Sequence, residues 1–303
     1  MIRAALAAFA LSTVPALAVA QSDEDATPQA QAPAVSVEQA KADPANWRAV
    51  DPENLLIFNT SKGEVVIEML PEVAPAHAAQ FKAIVRSGDY DGTLFHRVIN
   101  GFMAQGGDIF ALKGRDSGLP NIPGEFTFRR DPEAMQIDPI GMRDAATNGY
   151  YKGFPMRTQA FWLAEMSKDG HVESHIPHCR GVVSTARTDD PNSANSQFFL
   201  MRDTAAHLDK AYTAWGQVVS GVDVVLSIKL GEPPVNPDVL QSARVAADLP
   251  AAERPQVWVQ RTDGPDFQPV LAEYAEADDW NVCNFPQVPT VVAQPGATDN
   301  SAL

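Results

Sequence analysis

From residue 55 onward the apolar positions fall in short runs, and the period of those runs assigns the elements. LLIFNT (55–60) and EVVIEML (64–70) are β-branched runs flanking Ser61-Lys62-Gly63, the pattern of a hairpin. Past Pro75 the period lengthens: Ala78, Phe81, Ile84 and Val85 share one helical face, and Gly88 stands where a helix C-terminus favours glycine. Phe198 and Leu200 alternate with Gln197 and Phe199, which predicts a strand with both faces occupied, and Trp215 beside Gly216 reads as core. Residues 221–230 are short and β-branched and predict a helix of one or two turns. Residues 239–247 read as a brief helix, Val257-Trp258-Val259 as the closing strand, and Arg261 to Gly264 as a turn. Short strands with frequent Gly and Pro punctuation predict a mainly β barrel or sandwich, without internal repeats or a second globular domain.

The ends of the chain have a different composition. Residues 1–20 carry Arg3, an apolar run and Ala18-Val19-Ala20 before Gln21, the pattern of a cleaved signal peptide. A membrane helix is the competing reading, opposed by Pro15 and by the shortness of the run. Residues 21–50, rich in Ala, Gln, Pro and acids, are expected to be a flexible leader, residues 51–278 the folded domain, and residues 279–303 a loose tail. Removing residues 1–20 leaves 22 basic against 38 acidic residues, a net charge of −16. So acidic a chain argues against phosphate-backbone binding and adhesion to anionic lipid. With no anchor after cleavage, the expected location is the periplasm or the secreted fraction.

The densest chemistry lies in LFHRVINGFMAQGGD (94–108). Leu94, Val98, Ile99, Phe102 and Met103 surround Arg97, a cation that cannot discharge, and Gln105 adds an amide. An arginine among such neighbours must be paired or must meet a ligand.

This stretch resembles the signature of the cyclophilin family of peptidyl-prolyl isomerases, and ARTDDPNSANSQFFLM (186–201) resembles that family's second active-site segment. The resemblance implies a closed eight-stranded antiparallel β-barrel capped by two helices. It implies an enzyme that accelerates rotation about Xaa-Pro bonds, with no cofactor and no metal. Arg97 and Gln105 take the catalytic positions, and Phe102, Met103, Ala186, Phe199, Leu208, Tyr212 and His207 the substrate-binding ones. Gln105 and Tyr212 are expected to orient the arginine and the substrate carbonyl. Three departures stand out: His207 occupies a position that in many eukaryotic members is a tryptophan contacting cyclosporin, Asn100 stands in place of the usual proline in the first motif, and Tyr212 holds a position often taken by histidine. Arg187 is a groove-edge cation or a solvated charge. The partners implied are proline-containing polypeptides, met by a monomer. The alternative is a peptide-binding chaperone module in which isomerisation is incidental.

Between the two motifs, residues 127–178 form an insertion expected to carry a short helix around 159–167. Its Tyr150, Tyr151, Phe154, Phe161 and Trp162 either extend the groove or anchor the insertion. His171, His175, His178 and Cys179 admit a metal reading, against which Pro177 breaks any helix; a solvated histidine-rich loop is the default. Cys179 has one possible partner, Cys283, and in an exported protein the two are candidates for a disulfide or remain two buried thiols.

Overall fold

The computed structural model describes residues 35–141, 147–276 and 280–294. The chain enters through α1 (Val37–Ala42), started by a Ser36/Gln39 capping box, and β1 (Trp47–Ala49). The predicted hairpin follows as β2 (Leu55–Thr60) and β3 (Gly63–Met69), with Thr60 opposite Gly63. The predicted helix is α2 (Pro75–Ser87), ended by Gly88 in the left-handed region at φ 71°. No side chain at its N-cap, Ala74, caps it. Instead the distant Glu125 accepts the backbone N–H groups of Ala76 and His77 at 3.1 and 3.0 Å and bonds His77 Nδ1 at 2.6 Å. Then come β4 (Thr93–Leu94), β5 (Arg97–Val98), β6 (Met103–Gly106) and α3 (Ile109–Lys113).

The insertion supplies β7 (Phe128–Arg130), β8 (Asp138–Ile140), β9 (Thr147–Tyr151), β10 (Phe154–Thr158), α4 (Leu163–Met166) and β11 (Val172–His175). The second half runs through β12 (Val182–Thr185), β13 (Phe198–Met201), β14 (Ala214–Ser220), α5 (Val222–Ser227), β15 (Val239–Val245), β16 (Gln256–Gln260), α6 (Gln268–Glu276) and β17 (Thr290–Ala293).

The fold is mainly β. Its principal sheet is a curled antiparallel array of nine strands in the order β4-β15-β2-β3-β14-β12-β13-β6-β5. Nine strands stand where eight were expected, and β4 and β5, separated by Phe95 and His96, lie at the two ends of that order. Both faces of the sheet are buried. Leu56, Phe58, Val65, Ile67, Phe198 and Leu200 join α2 residues in one core, where Phe81 stacks on Trp215 at 4.3 Å. Their neighbours Leu55, Ile57, Val66, Phe199 and Met201 join a second core with Tyr150, Phe154 and Met156 of the insertion and Phe267, Leu271 and Val282 of the C-terminal segment. Insertion and C-terminal segment therefore form an outer cover, the insertion as a five-stranded sheet β7-β11-β10-β9-β8 and the chain ends as a three-stranded sheet β1-β16-β17.

Several expectations need correction. Residues 35–50 of the leader are structured, because Trp47 and Ala40 have an apolar partner in Trp258. The expected tail is ordered over residues 280–294, held by β17 and a disulfide. Residues 1–34 and 295–303, on which the expected signal peptide falls, lie outside the described residues. Val257-Trp258-Val259 sit in a strand, but it pairs with β1 and β17 and does not enter the nine-stranded sheet. The helix read at 239–247 is instead β15, paired with β2 and β4. A bulge between Leu240 and Ser242 inserts one residue, so the buried positions run Leu240, Ala243, Val245; that three-residue step imitates a helical period. The short helices predicted at 221–230 and within 159–167 are present as α5 and α4. Of the insertion aromatics, Tyr150 and Phe154 are anchors, 3% and 0% exposed. Among the described residues no helix is long and apolar enough to cross a membrane.

A buried ion pair and a covalent bond fasten the cover. Arg48 of β1 grips Glu68 of β3 with two hydrogen bonds, 2.7 and 2.8 Å, and also donates to the carbonyl of Lys152 in the insertion. Burial pushes the Glu68 carboxyl up, against the pull of Arg48. Cys179 and Cys283 form a disulfide across 104 residues, which decides between the bonded and the thiol alternatives.

A cross-link closing so long a loop stabilises by about 3–5 kcal/mol through the entropy it removes from the unfolded chain. Denaturant titration with and without reductant is expected to show a loss of that order in the wild type, and no reductant effect in the Cys179→Ser/Cys283→Ser double variant. A wild-type midpoint indifferent to reductant contradicts it.

Candidate active site

Strand register gathers the site. Arg97 on β5 lies opposite Gln105 on β6, Gln105 opposite Phe199 on β13, and Phe199 opposite Ser184 on β12. Directly opposed residues project to the same face, so these four form one row across the sheet on the face that the cover otherwise occupies. The β5–β6 connection is tight: Gly101 takes φ 63°, and the Ile99 N–H reaches the carbonyl of Met103 at 2.9 Å. This turn brings Phe102 back over the row. A short 3-10 turn, Ala206–Leu208, supplies Leu208.

Together these elements enclose a cavity of about 140 Å³ lined by Arg97, Phe102, Met103, Gln105, Ala186, Arg187, Phe199, Leu208 and Tyr212. Every residue predicted for the site lines it except His207. That side chain stacks outside on Phe102, ring centres 5.6 Å apart. Met103, Phe199 and Leu208 are buried, 2%, 4% and 6% exposed, and give the cavity a dry floor. Tyr212 meets Phe199 edge-on at 5.9 Å. Arg187, left open as edge cation or solvated charge, lies over the Tyr212 ring at 4.5 Å and donates from Nε to the Ala211 carbonyl at 2.9 Å; it is a fixed groove-edge cation. A second cavity of about 610 Å³ shares Gln105, Ala186 and Arg187 and continues past Phe110, Asn121 and Thr188.

Two contacts differ from expectation. Gln105 does not hold the arginine: its Nε2 donates to Gln197 Oε1 at 2.8 Å. Arg97 is instead held by Glu232, whose Oε2 accepts from Arg97 Nε at 2.7 Å. No sequence signal ties together two residues so far apart.

Behind the floor lies a group that sequence reasoning also missed. His178 stacks on Phe199 at 6.1 Å, bonds Asp209 Oδ1 through Nδ1 at 3.1 Å and Ser184 Oγ through Nε2 at 2.8 Å. Ser184 is fully buried, so this Ser-His-Asp order has no access to substrate and serves to hold Phe199. Asp209 also accepts from the His178 N–H at 2.8 Å and from Arg157 at 2.9 Å. Burial alone pushes its carboxyl up, but the bonds from His178 and the charge of Arg157 prevail and hold it below the usual carboxylate range. His175 and His178 are thus buried rather than part of a solvated loop, and the metal alternative loses its thiolate to the Cys179–Cys283 disulfide.

With the geometry in hand, the chain compares as follows with known proteins. The family described as cyclophilin type peptidyl-prolyl cis-trans isomerase/CLD matches residues 55–245. A Brucella suis protein named "Probable peptidyl-prolyl cis-trans isomerase" is 38% identical over 205 residues, covering 66% of this chain and 86% of that one. The "Peptidyl-prolyl cis-trans isomerase cyp18" of Streptomyces antibioticus is 32% identical, covering 62% of this chain and 96% of its own. Among solved structures, the cyclophilin AquaCyp293 from Hirschia baltica superposes with a TM-score of 0.82 at 49% identity, covering 86% of this chain and 99% of that one.

His175 gives the site's surroundings a pH dependence. Burial pushes its imidazole down to about 4, partly opposed by Asp209. Between the ordinary value near 6.5 and about 4 the unfolded chain takes up a proton that the folded chain refuses. Stability is therefore lost as pH falls through that window, by about 2–4 kcal/mol in all. Denaturation midpoints of wild type and His175→Gln between pH 7 and 4 measure it as a difference, so that carboxylates titrating in the same range cancel. Parallel curves for the two proteins contradict it.

Proposed function

The chain belongs to the cyclophilin-type peptidyl-prolyl cis-trans isomerases, and from that premise we propose that Arg97 drives the rotation by stabilising the twisted prolyl amide inside the 140 Å³ cavity. The observation that carries the reading is the in-register row Arg97–Gln105–Phe199, a fixed cation and an apolar floor held in line across three neighbouring strands.

The peptide bond resists rotation because resonance gives C–N partial double-bond character, and uncatalysed exchange at Xaa-Pro takes tens to hundreds of seconds. No nucleophile is required. As the bond twists, conjugation is lost and the nitrogen regains its lone pair. A guanidinium set against that nitrogen favours the twisted state over both planar ones, and this difference lowers the barrier. Met103, Phe199 and Leu208 hold the proline ring and exclude water, which strengthens the arginine's field. Gln105 and Tyr212 are left to orient the substrate's backbone, and Phe102 with His207 closes the outer rim.

Substrates on this reading are proline-containing polypeptides threaded through the open groove, and the protein acts as a monomer without cofactor or nucleic acid. The catalytic domain extends beyond the expected 51–278 to take in residues 35–50 and 280–294, with 127–178 inserted. The closed eight-stranded barrel belongs to the same reading, with β4 and β5 taken as one strand. The bonds from Phe95 N–H to the Asp238 carbonyl at 3.0 Å and from Val98 N–H to the Gly231 carbonyl at 2.8 Å support it. Export to the periplasm or beyond is supported by the signal-like residues 1–20 and by the Cys179–Cys283 disulfide, which suits an oxidising compartment.

Arg97→Ala is expected to lower turnover about 100-fold while leaving stability nearly unchanged, since the side chain is 41% exposed. Cis/trans exchange of a short Xaa-Pro peptide followed by NMR, with both proteins side by side, is the measurement. Equal exchange rates would sink the assignment of Arg97.

A further inference from the structure

We infer that Glu232 is a positioning residue for the isomerase reaction, holding Arg97 by its Nε so that the terminal guanidinium nitrogens are presented to the prolyl amide. The inference rests on the assignment of Arg97 above and adds the group that makes that arginine a fixed cation.

The placement is built by the backbone. Val98 and Gly231 form an antiparallel bridge with both bonds made, 2.8 and 2.9 Å, so the next residues outward, Arg97 and Glu232, are cross-strand neighbours. The segment carrying Glu232 is itself pinned. Asp238, 5% exposed, accepts from the Lys229 N–H at 2.9 Å and from Ser61 Oγ at 2.8 Å. Gly231 stands at φ 149° with the space for a Cβ only 2.4 Å from Pro234 Cα, so the chain has one path there. The carboxylate therefore arrives at Arg97 on a rigid support.

Stability is a poor reason for this pair. Its side chains are 41% and 52% exposed, and ion pairs in that setting contribute little. Its geometric effect is larger. Arginine has many rotamers, and binding a substrate to an unheld one orders it at the moment of reaction. The bond to Nε orders it beforehand and uses one of five donors. Among the described residues the Arg97 side chain makes no other hydrogen bond, which leaves both terminal nitrogens free. Gln105, the other candidate for this task, is committed to Gln197.

The test compares wild type, Arg97→Ala, Glu232→Ala and Glu232→Gln by NMR exchange of an Xaa-Pro peptide, with kcat and KM separated and the Arg97 Nε–H resonance observed. Glu232→Ala is expected to lower kcat about tenfold with KM little changed, and to move the Nε–H resonance to the position of a solvated arginine. Glu232→Gln keeps a carbonyl acceptor at the same length and is expected to recover most of the turnover and the resonance. Turnover in Glu232→Ala equal to or above wild type, beside an inactive Arg97→Ala, overturns this proposal alone. Failure of Glu232→Gln to recover activity overturns it as well, because the carboxylate's charge and not its bond would then matter. If Arg97→Ala turns over like wild type, the assignment of Arg97 fails first and this one with it.

Discussion

A strand that is apolar on both faces must be covered on both sides, and most of this molecule follows from that constraint. Leu55, Leu56, Ile57 and Phe58 are consecutive and all buried, as are Phe198, Phe199, Leu200 and Met201. One set of alternating positions fills the space enclosed with α2; the other meets the insertion and the C-terminal segment. Without that cover a wide apolar face of the sheet would meet water. The insertion is thus better understood as the outer wall of the domain than as an appendage.

The candidate site is the place where this cover stops. The row from Ser184 through Phe199 and Gln105 to Arg97 begins under buried side chains and ends at a half-exposed cation, so one line of registered residues passes from core to solvent. Phe199 serves both regions: its ring floors the cavity and is packed from behind by His178. A polar group so placed keeps an aromatic ring fixed without filling the cavity, because His178, Asp209 and Ser184 satisfy one another.

The sequence was legible wherever a local pattern carried the information. The hairpin, α2 with its terminal glycine and eight of the nine predicted site residues were all readable from short stretches. Errors arose where structure is settled at a distance. β15 looked helical because its bulge spaces Leu240 and Ala243 three apart. Residues 35–50 looked loose because Trp47 meets its partner Trp258 from the far end of the chain, although the Ser36/Gln39 capping box was there to be read. The insertion's strands are short and broken by Gly and Pro, and only their mutual pairing makes them a sheet. Glu232 and Asp209 gave no signal, since nothing in either neighbourhood names Arg97 or His178.

Glu125 ties the start of α2 to a distant part of the chain. α2 has no side chain of its own to answer its first N–H groups, and a helix of its length is marginal in isolation. The carboxylate that does answer them is forty-eight residues further along, at the threshold of the insertion. The first turn of α2 therefore depends on a residue that stands beyond β4, β5, β6 and α3 in the chain. A helix that looks complete on paper by Ser87 is written in two places, and its last stroke belongs to the segment that opens the outer wall.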